Sequence, residues 1–180
     1  MGKFTSILMA ATAVTMISTA AHAERGADGQ LRILYWQAPS ILNPFLSGGT
    51  KDIHASSLII EPLANYDENG NLVPTLADEI PTVANGGVAE DLKSITWKLK
   101  QGVMWSDGTP FTAADVVFTA DLCMHPEGGC NAIERFQDVS SVEALDDHTV
   151  KISFAVAKPF PYGPFVGAEA PVFQQAQFKD

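Results

Sequence analysis

Apolar and polar residues alternate along several stretches of the chain, and the period of the alternation predicts secondary structure. In residues 94–100, SITWKLK, every second residue is apolar, which is typical of a strand with one buried face. Residues 149–154, TVKISF, show the same pattern after residues 140–145, SSVEAL, so these two stretches predict a hairpin. Residues 31–36, LRILYW, are rich in strand formers and predict a further strand that ends before Pro39.

Two stretches have helical spacing. Thr112 and Asp115 stand three residues apart, as in a capping box, so a helix is predicted to begin there. Its predicted buried face consists of Ala113, Val116, Val117, Ala120 and Cys123. Residues 52–63 carry a less regular apolar stripe and predict a second helix that ends near Pro62.

The stretch WSDGTPFTAAD, residues 105–115, predicts a chain reversal just before the first of these helices. Asp-Gly tolerates positive φ, and proline cannot donate to a strand ladder, so a turn and helix cap are expected. The residues assigned to this structural motif are Asp107, Gly108, Pro110, Thr112 and Asp115.

Residues 66–72, YDENGNL, contain Asn69-Gly70 between apolar positions, which is the strongest short hairpin signal in the sequence. A calcium-binding loop is the functional alternative. The spacing of an EF-hand and its distant glutamate are missing, so the turn interpretation is preferred.

The N-terminal residues 1–23 have the pattern of a secretory signal peptide. Lys3 precedes an apolar run at residues 7–17, and Ala21-His22-Ala23 has the small-x-small form of a cleavage site. A membrane anchor is the alternative, but the run is shorter than the roughly 20 residues that a spanning helix needs. The sequence therefore predicts an exported protein whose mature part is residues 24–180.

Composition and motifs narrow the function. The net charge of −10 at pH 7 argues against nucleic-acid binding, which a basic surface would favour. No nucleophile elbow, zinc-protease, phosphate-binding or dinucleotide-binding motif occurs, so no catalytic residue, metal site or cofactor is assigned. His54, His125 and His148 fall on a predicted helix, in the cysteine loop and in a turn, where solvated or capping roles are expected.

Two cysteines, Cys123 and Cys130, flank the sequence MHPEGG, whose proline and glycines allow a tight loop. In an oxidising compartment this spacing predicts a disulfide. A zinc site using both cysteines, His125 and nearby Glu127 is the alternative, in a secreted zinc module or enzyme. It lacks the CxxC pairs and the definite fourth ligand that zinc sites usually show.

From about residue 31 onward, the sequence resembles the solute-binding proteins of ABC importers, in the family that carries peptides, dipeptides and nickel. Four blocks follow in that family's order: Glu61-Pro62-Leu63, Gly70, Pro74-Thr75-Leu76-Ala77 and residues 99–116. Family members are several-fold longer. The resemblance therefore implies the N-terminal part of such a protein, with the second lobe lying beyond residue 180.

The resemblance implies an α/β fold with a mixed sheet, like periplasmic binding proteins of type II, of which this would be an incomplete first lobe. It implies a periplasmic binding protein and not an enzyme, with a peptide or other small solute as ligand. Its partners would be ABC permease and ATPase subunits, with membrane contact only through the permease. Nickel chelates, oligosaccharides and opines are the alternative ligands.

On that family frame, the loop after the first strand is the expected ligand-facing segment, because its proline-bounded backbone could accept a peptide as an added strand. The expected ligand-binding residues are Tyr35, Trp36, Gln37, Pro39, Ser40, Ile41, Leu42 and Asn43. The alternative is that Ile41, Leu42 and Phe45 simply pack into the lobe.

Overall fold

A computed structural model describes residues 29, 30 and 32–179. Two compact units divide the chain between Leu34 and Tyr35. The described residues of the first unit form neither helix nor strand, and Arg32 donates a hydrogen bond of 3.0 Å to the side-chain oxygen of Gln30. The expected signal peptide, residues 1–23, lies outside the described residues.

The prediction of a strand at residues 31–36 is wrong for the residues of this stretch that the structure describes. Leu31 lies outside the described residues, and residues 32–36 have no strand conformation. High strand propensity does not form a strand without a partner that completes the hydrogen-bond ladder. Trp36 is 75% exposed, so this apolar residue does not mark a buried face.

The hairpin predicted around Asn69-Gly70 is confirmed. Strand β1 (Ala64–Tyr66) pairs antiparallel with β2 (Leu72–Pro74), and Gly70 has a φ of +81°, which favours glycine. The Asp67 carboxylate accepts hydrogen bonds from the backbone of Asn69 and from the backbone and side chain of Asn71. It is therefore satisfied by the turn itself, and the calcium-loop interpretation finds no support.

The second sheet contains β3 (Ser94–Lys98), β4 (Val139–Asp146) and β5 (Thr149–Phe154) in the order β3-β5-β4, with antiparallel pairing. The alternating pattern places its apolar residues as predicted: Ile95, Trp97, Val150, Ile152 and Phe154 are buried. An isolated parallel bridge joins Ala64 to Val166. Together with the helices, the sheets confirm the predicted α/β class.

The predicted helix covered residues 52–63. The observed helix α1 (Thr50–Ser56) is shorter. Its end is closed by a tight turn in which the N–H of Ile59 donates to the carbonyl of Ser56. Leu58 and Ile59 are 59% and 62% exposed, so two members of the apparent stripe face away from the core. Proline at position 62 also disfavours helical backbone at the preceding residue.

Helix α2 (Ala113–Met124) begins where the capping box predicted, and the Asp115 carboxylate accepts a 2.9 Å hydrogen bond from the N–H of Thr112. The turn before it is also confirmed, since Gly108 has a φ of +84° and donates to the carbonyl of Trp105. Pro110 pairs with Met104 in an isolated bridge. Helix α2 packs on β4 and β5.

A 3-10 helix (Ile133–Phe136) follows α2, and helix α3 (Gln175–Phe178) lies near the end of the described chain. One continuous core joins the sheets to α2. From the predicted face of α2 it contains Ala113, Val116, Ala120 and Cys123, whereas Val117 is half-buried.

Candidate functional site

A cavity of about 470 Å³ opens between three segments that are distant in the sequence. Its lining residues are Pro44, Gly48, Ile53, Asn131, Ala132, Glu134, Arg135 and Glu169. A concave site with a few convergent polar groups is the usual form of a small-ligand site. A cavity of similar size, about 480 Å³, lies beside Lys98 and His148, but a single sheet end and its turns form most of it.

The first wall of this cleft is the loop of residues 40–49 together with α1. Asp52, in the first turn of α1, is only 2% exposed and accepts hydrogen bonds from the backbone N–H groups of Ser40 and Ile41, at 2.5 and 3.3 Å. The Ser47 hydroxyl donates to its other oxygen at 2.6 Å. Lys51 completes the cluster with an ion pair to Asp52 at 3.0 Å. One carboxylate thus connects residues 40, 41 and 47 of the loop to α1.

These hydrogen bonds, and that of Ser47 first, hold the pKa of Asp52 well below its usual range. Each donor stabilises the charged form of the carboxyl group, and together the donors outweigh the opposing effect of burial. Asp52 is therefore an anion at neutral pH and accepts hydrogen bonds from the loop in that state.

The second wall contains the 3-10 helix and the segment before it. Cys123 and Cys130 form a disulfide with a Cα–Cα distance of 5.0 Å, as predicted. The next residue, Asn131, donates its N–H to the carbonyl of Phe45 at 2.7 Å and so joins the two walls. Since both sulfurs are bonded to each other, neither is a thiolate, and the zinc alternative loses its ligands.

The charges of the cleft come from the second wall and from Glu169, which belongs to a third segment. Arg135 donates to the carbonyl of Val166 at 3.2 Å and forms an ion pair with Glu169. The carboxylate of Glu134 is exposed and has no hydrogen bond or ion pair in the described part of the chain. The lining thus offers one guanidinium and two carboxylates, which can pair with both a negative and a positive group of a ligand.

None of the eight residues expected to bind ligand lines this cavity. Pro44, which does line it, follows directly after the expected segment. The loop backbone is less free than its two prolines suggested, because Asp52 accepts from two of its N–H groups. The Asn43 side chain accepts a hydrogen bond from the N–H of Phe45.

The alternative that this segment packs into the lobe holds for only one of its three residues. Phe45 is buried against Phe173, whereas Ile41 and Leu42 are exposed. Tyr35 stacks on Trp36 and its hydroxyl forms a hydrogen bond with His54. Trp36, Ile41 and Leu42 therefore present exposed apolar or aromatic surface in the segment that precedes Pro44.

Sequence reasoning missed the residues that give the cleft its charge. Arg135 and Glu169 are 34 residues apart and share no motif, and Glu134 is one of many acidic residues. The sequence pattern puts Asp52 at the start of a predicted helix but gives no function to its carboxylate. The signal that could have found Asp52 is its position three residues after Gly49 at a helix start, where an acidic residue caps or bonds nearby backbone.

No helix among residues 29, 30 and 32–179 has the length and apolar character to cross a membrane. In the same part of the chain, no three His, Cys, Asp or Glu side chains cluster in a way that could hold a metal ion.

Solved structures show which fold this is. The chain superimposes on AgaA from A. tumefaciens R10 in complex with agropinic acid, with a TM-score of 0.69, 25% identity, and coverage of 78% of this chain and 27% of that one. It also superimposes on OppA of Haemophilus influenzae in complex with RPPGFSPFR, with a TM-score of 0.69, 21% identity, and coverage of 79% and 30%. The fold is that of type II periplasmic binding proteins, as predicted.

Sequence comparison then gives the family. The profile of the bacterial extracellular solute-binding proteins, family 5 Middle, matches residues 71–180, and the chain belongs to this family. It is 28% identical to the periplasmic murein peptide-binding protein MppA of Escherichia coli (strain K12), with 69% of this chain covered. The match covers 25% of MppA, so this chain spans about a quarter of that relative. The resemblance inferred from the four sequence blocks is confirmed.

Proposed function

We propose that this chain is part of the periplasmic binding component of an ABC importer and captures peptides for delivery to the permease and ATPase subunits. Membership of the solute-binding family is the observation that carries the proposal. The signal-peptide pattern of residues 1–23 supports export to the periplasm. The relatives include putative ABC transporter peptide-binding proteins of Brucella species, 34% identical to this chain.

The chemistry of the cleft fits a peptide ligand. A free peptide carries an ammonium group and a carboxylate, and Arg135 and Glu134 offer the opposite charges on one wall. Arg135 can form a bidentate pair with a carboxylate, while the unpaired carboxylate of Glu134 can accept from an ammonium group. The eight residues 35–37 and 39–43 complete the proposed ligand surface next to that wall.

Thermal unfolding in the presence of peptides tests this function. A panel of di- to pentapeptides should raise the unfolding midpoint by several degrees, because a ligand at about 100 times its Kd stabilises the folded state by about 2.7 kcal/mol. The same amino acids in free form serve as the control. Lack of a shift for every peptide in the panel would refute peptide capture.

Native mass spectrometry of the purified protein separates the alternative ligands within the family. A co-purified peptide supports the proposal, whereas an opine, an oligosaccharide or a nickel chelate would keep the family and replace the ligand. The AgaA neighbour, solved in complex with agropinic acid, is an observation that favours the opine alternative.

A further inference from the structure

The most highly satisfied polar side chain near the cleft is that of Asp52, which does not itself line the cavity. Its Oδ1 accepts from the N–H groups of Ser40 and Ile41, and its Oδ2 accepts from the hydroxyl of Ser47. Lys51 lies within 3.1 Å of both oxygens. All these donors except Lys51 come from the loop that forms the first wall.

This loop has few other means of keeping its shape. Pro39 and Pro44 lack an N–H, and no strand is assigned to the described residues 32–49. Its remaining ties are local turns, such as the N–H of Leu46 to the carbonyl of Asn43, the bond from Asn131 to Phe45, the bond from Lys51 to the Ser40 hydroxyl, and the packing of Phe45 on Phe173. Among the described residues, the carboxylate of Asp52 is the acceptor that connects residues 40, 41 and 47 together to a helix.

We infer that Asp52 is a positioning residue for ligand binding, because its buried carboxylate holds the loop of residues 40–49 in its ligand-ready shape before any ligand arrives. Pro44 and Gly48 are the parts of this loop that line the cleft. Ordering a loop during binding reduces affinity, so a loop that is ordered beforehand binds more tightly. This role rests on the proposed function.

The role requires a carboxylate, and an amide would not replace it. Four different donors converge on two oxygens, and an aspartate accepts on both without presenting a donor of its own. An asparagine would turn one of the two positions into an NH₂ group, and in either orientation this group faces the Lys51 ammonium donor-to-donor, because Lys51 lies within 3.1 Å of both oxygens. The low pKa of Asp52 keeps the carboxylate charged across the neutral range.

Hydrogen–deuterium exchange of the ligand-free protein, resolved to single residues, tests the hold on the loop. In Asp52→Asn, the amides of Ser40 and Ile41 should exchange at least about tenfold faster, while those of β5 stay unchanged. Asp121→Asn is the matched control, since this α2 carboxylate is exposed and unpaired in the described part of the chain. It should leave both regions within about twofold of the wild-type rates.

Peptide affinity is the measurement that a purely structural role of Asp52 would leave unchanged. The panel peptide with the largest thermal shift should bind Asp52→Asn at least about tenfold more weakly and Asp121→Asn as tightly as the wild type. Ser47→Ala keeps the charge of Asp52 and its two bonds from backbone N–H groups, so exchange rates and affinity should change by only about two- to fivefold. This variant replaces Asp52→Asn in both measurements if Asp52→Asn does not fold.

Two results overturn the inference: unchanged exchange at Ser40 and Ile41 in the Asp52 variant, or faster exchange with unchanged affinity. If no panel peptide binds the wild type, the proposed function fails instead. The exchange comparison then decides alone whether Asp52 holds the loop, with the same rates expected.

Discussion

The hydroxyl oxygen of Thr119 lies 2.9 Å from the backbone nitrogen of Phe173, 54 residues further along the chain. The same hydroxyl donates to the carbonyl of Asp115 one helical turn earlier, at 2.7 Å. Two neighbouring bonds extend this junction, from the N–H of Gln175 to Asp115 and from the side chain of Gln174 to Asp107. The turn and capped helix that the sequence predicted therefore also anchor the segment that leads into α3.

Replacing Thr119 with valine should destabilise the protein by about 1–3 kcal/mol. Valine has a similar shape but leaves the buried N–H of Phe173 without its acceptor, and an unsatisfied buried donor has a cost of this size. Urea unfolding measures the change. Thr96→Val is the matched control, since the half-buried Thr96 hydroxyl has no hydrogen bond in the described part of the chain, and equal effects of both substitutions would contradict the assignment.

Local signals predicted the parts of the fold that short stretches determine. Asn69-Gly70 determines its own hairpin because positive φ is required there, and Thr112 and Asp115 cap a helix with groups only three residues apart. Alternation in residues 94–98 and 149–154 predicted the buried faces of β3 and β5. Each of these features depends on contacts that the sequence pattern contains.

Features that depend on distant partners were predicted poorly. The strand expected at residues 31–36 does not form in its described part, residues 32–36, and α1 ends at Ser56, before the exposed Leu58 and Ile59. The cleft charges could not be assigned either. The β4–β5 hairpin lies between Arg135 and Glu169 in the sequence and brings the two residues together. The spacing of Arg135 and Glu169 does not indicate this contact.

Removing the disulfide should lower the free energy of unfolding by about 2–3 kcal/mol, because Cys123 and Cys130 close a short loop that restricts the unfolded chain. The test is thermal or urea unfolding of the double variant Cys123→Ala/Cys130→Ala. Dithiothreitol should bring the wild type close to the double variant and leave the double variant unchanged. A wild type that is insensitive to reductant under unfolding conditions would contradict a contribution of this bond.

Acid should destabilise the protein only at low pH. Four carboxyl groups have pKa values below the ordinary aspartate value: Asp52, Asp67, Asp107 and Asp146. The largest causes are, in that order, the Ser47 hydroxyl, the Asn71 side chain, the N–H of Thr109 and the N–H of His148. Each of these carboxyl groups stays deprotonated down to a lower pH in the folded state than in the unfolded chain.

Because the folded pKa values are lowered, these carboxylates contribute their full stabilisation above the unfolded pKa of about 3.9 and lose it as the pH falls through the folded values. Urea unfolding at pH 7, 5, 4, 3 and 2 should therefore show little change down to about pH 5 and a steep loss below pH 4. Asp67→Asn should show a smaller loss than the wild type over the same interval. A decline that is complete above pH 5 would exclude these four groups as its cause.

Arg135 and Glu169 should affect ligand binding in opposite directions. In the ligand-free protein, Glu169 occupies the guanidinium, and the pair is partly exposed, so its own contribution to stability is only about 0–1 kcal/mol. A ligand carboxylate must compete with Glu169 for Arg135. Glu169→Gln should therefore tighten the binding of a peptide with a free C-terminal carboxylate, by about two- to fivefold, whereas Arg135→Gln should weaken it by about tenfold.

Isothermal titration with one panel peptide in its free-acid and C-terminally amidated forms separates this effect from a change in the shape of the cleft. Both substitutions should change the affinity of the free acid and leave that of the amide nearly constant, because only the free acid presents a carboxylate to Arg135. Lys98→Gln is the control, as this lysine also pairs with a glutamate but lies outside the cleft. Equal losses for the acid and the amide in Arg135→Gln would show that the arginine supports the wall through the Val166 carbonyl, without contacting the ligand's carboxylate.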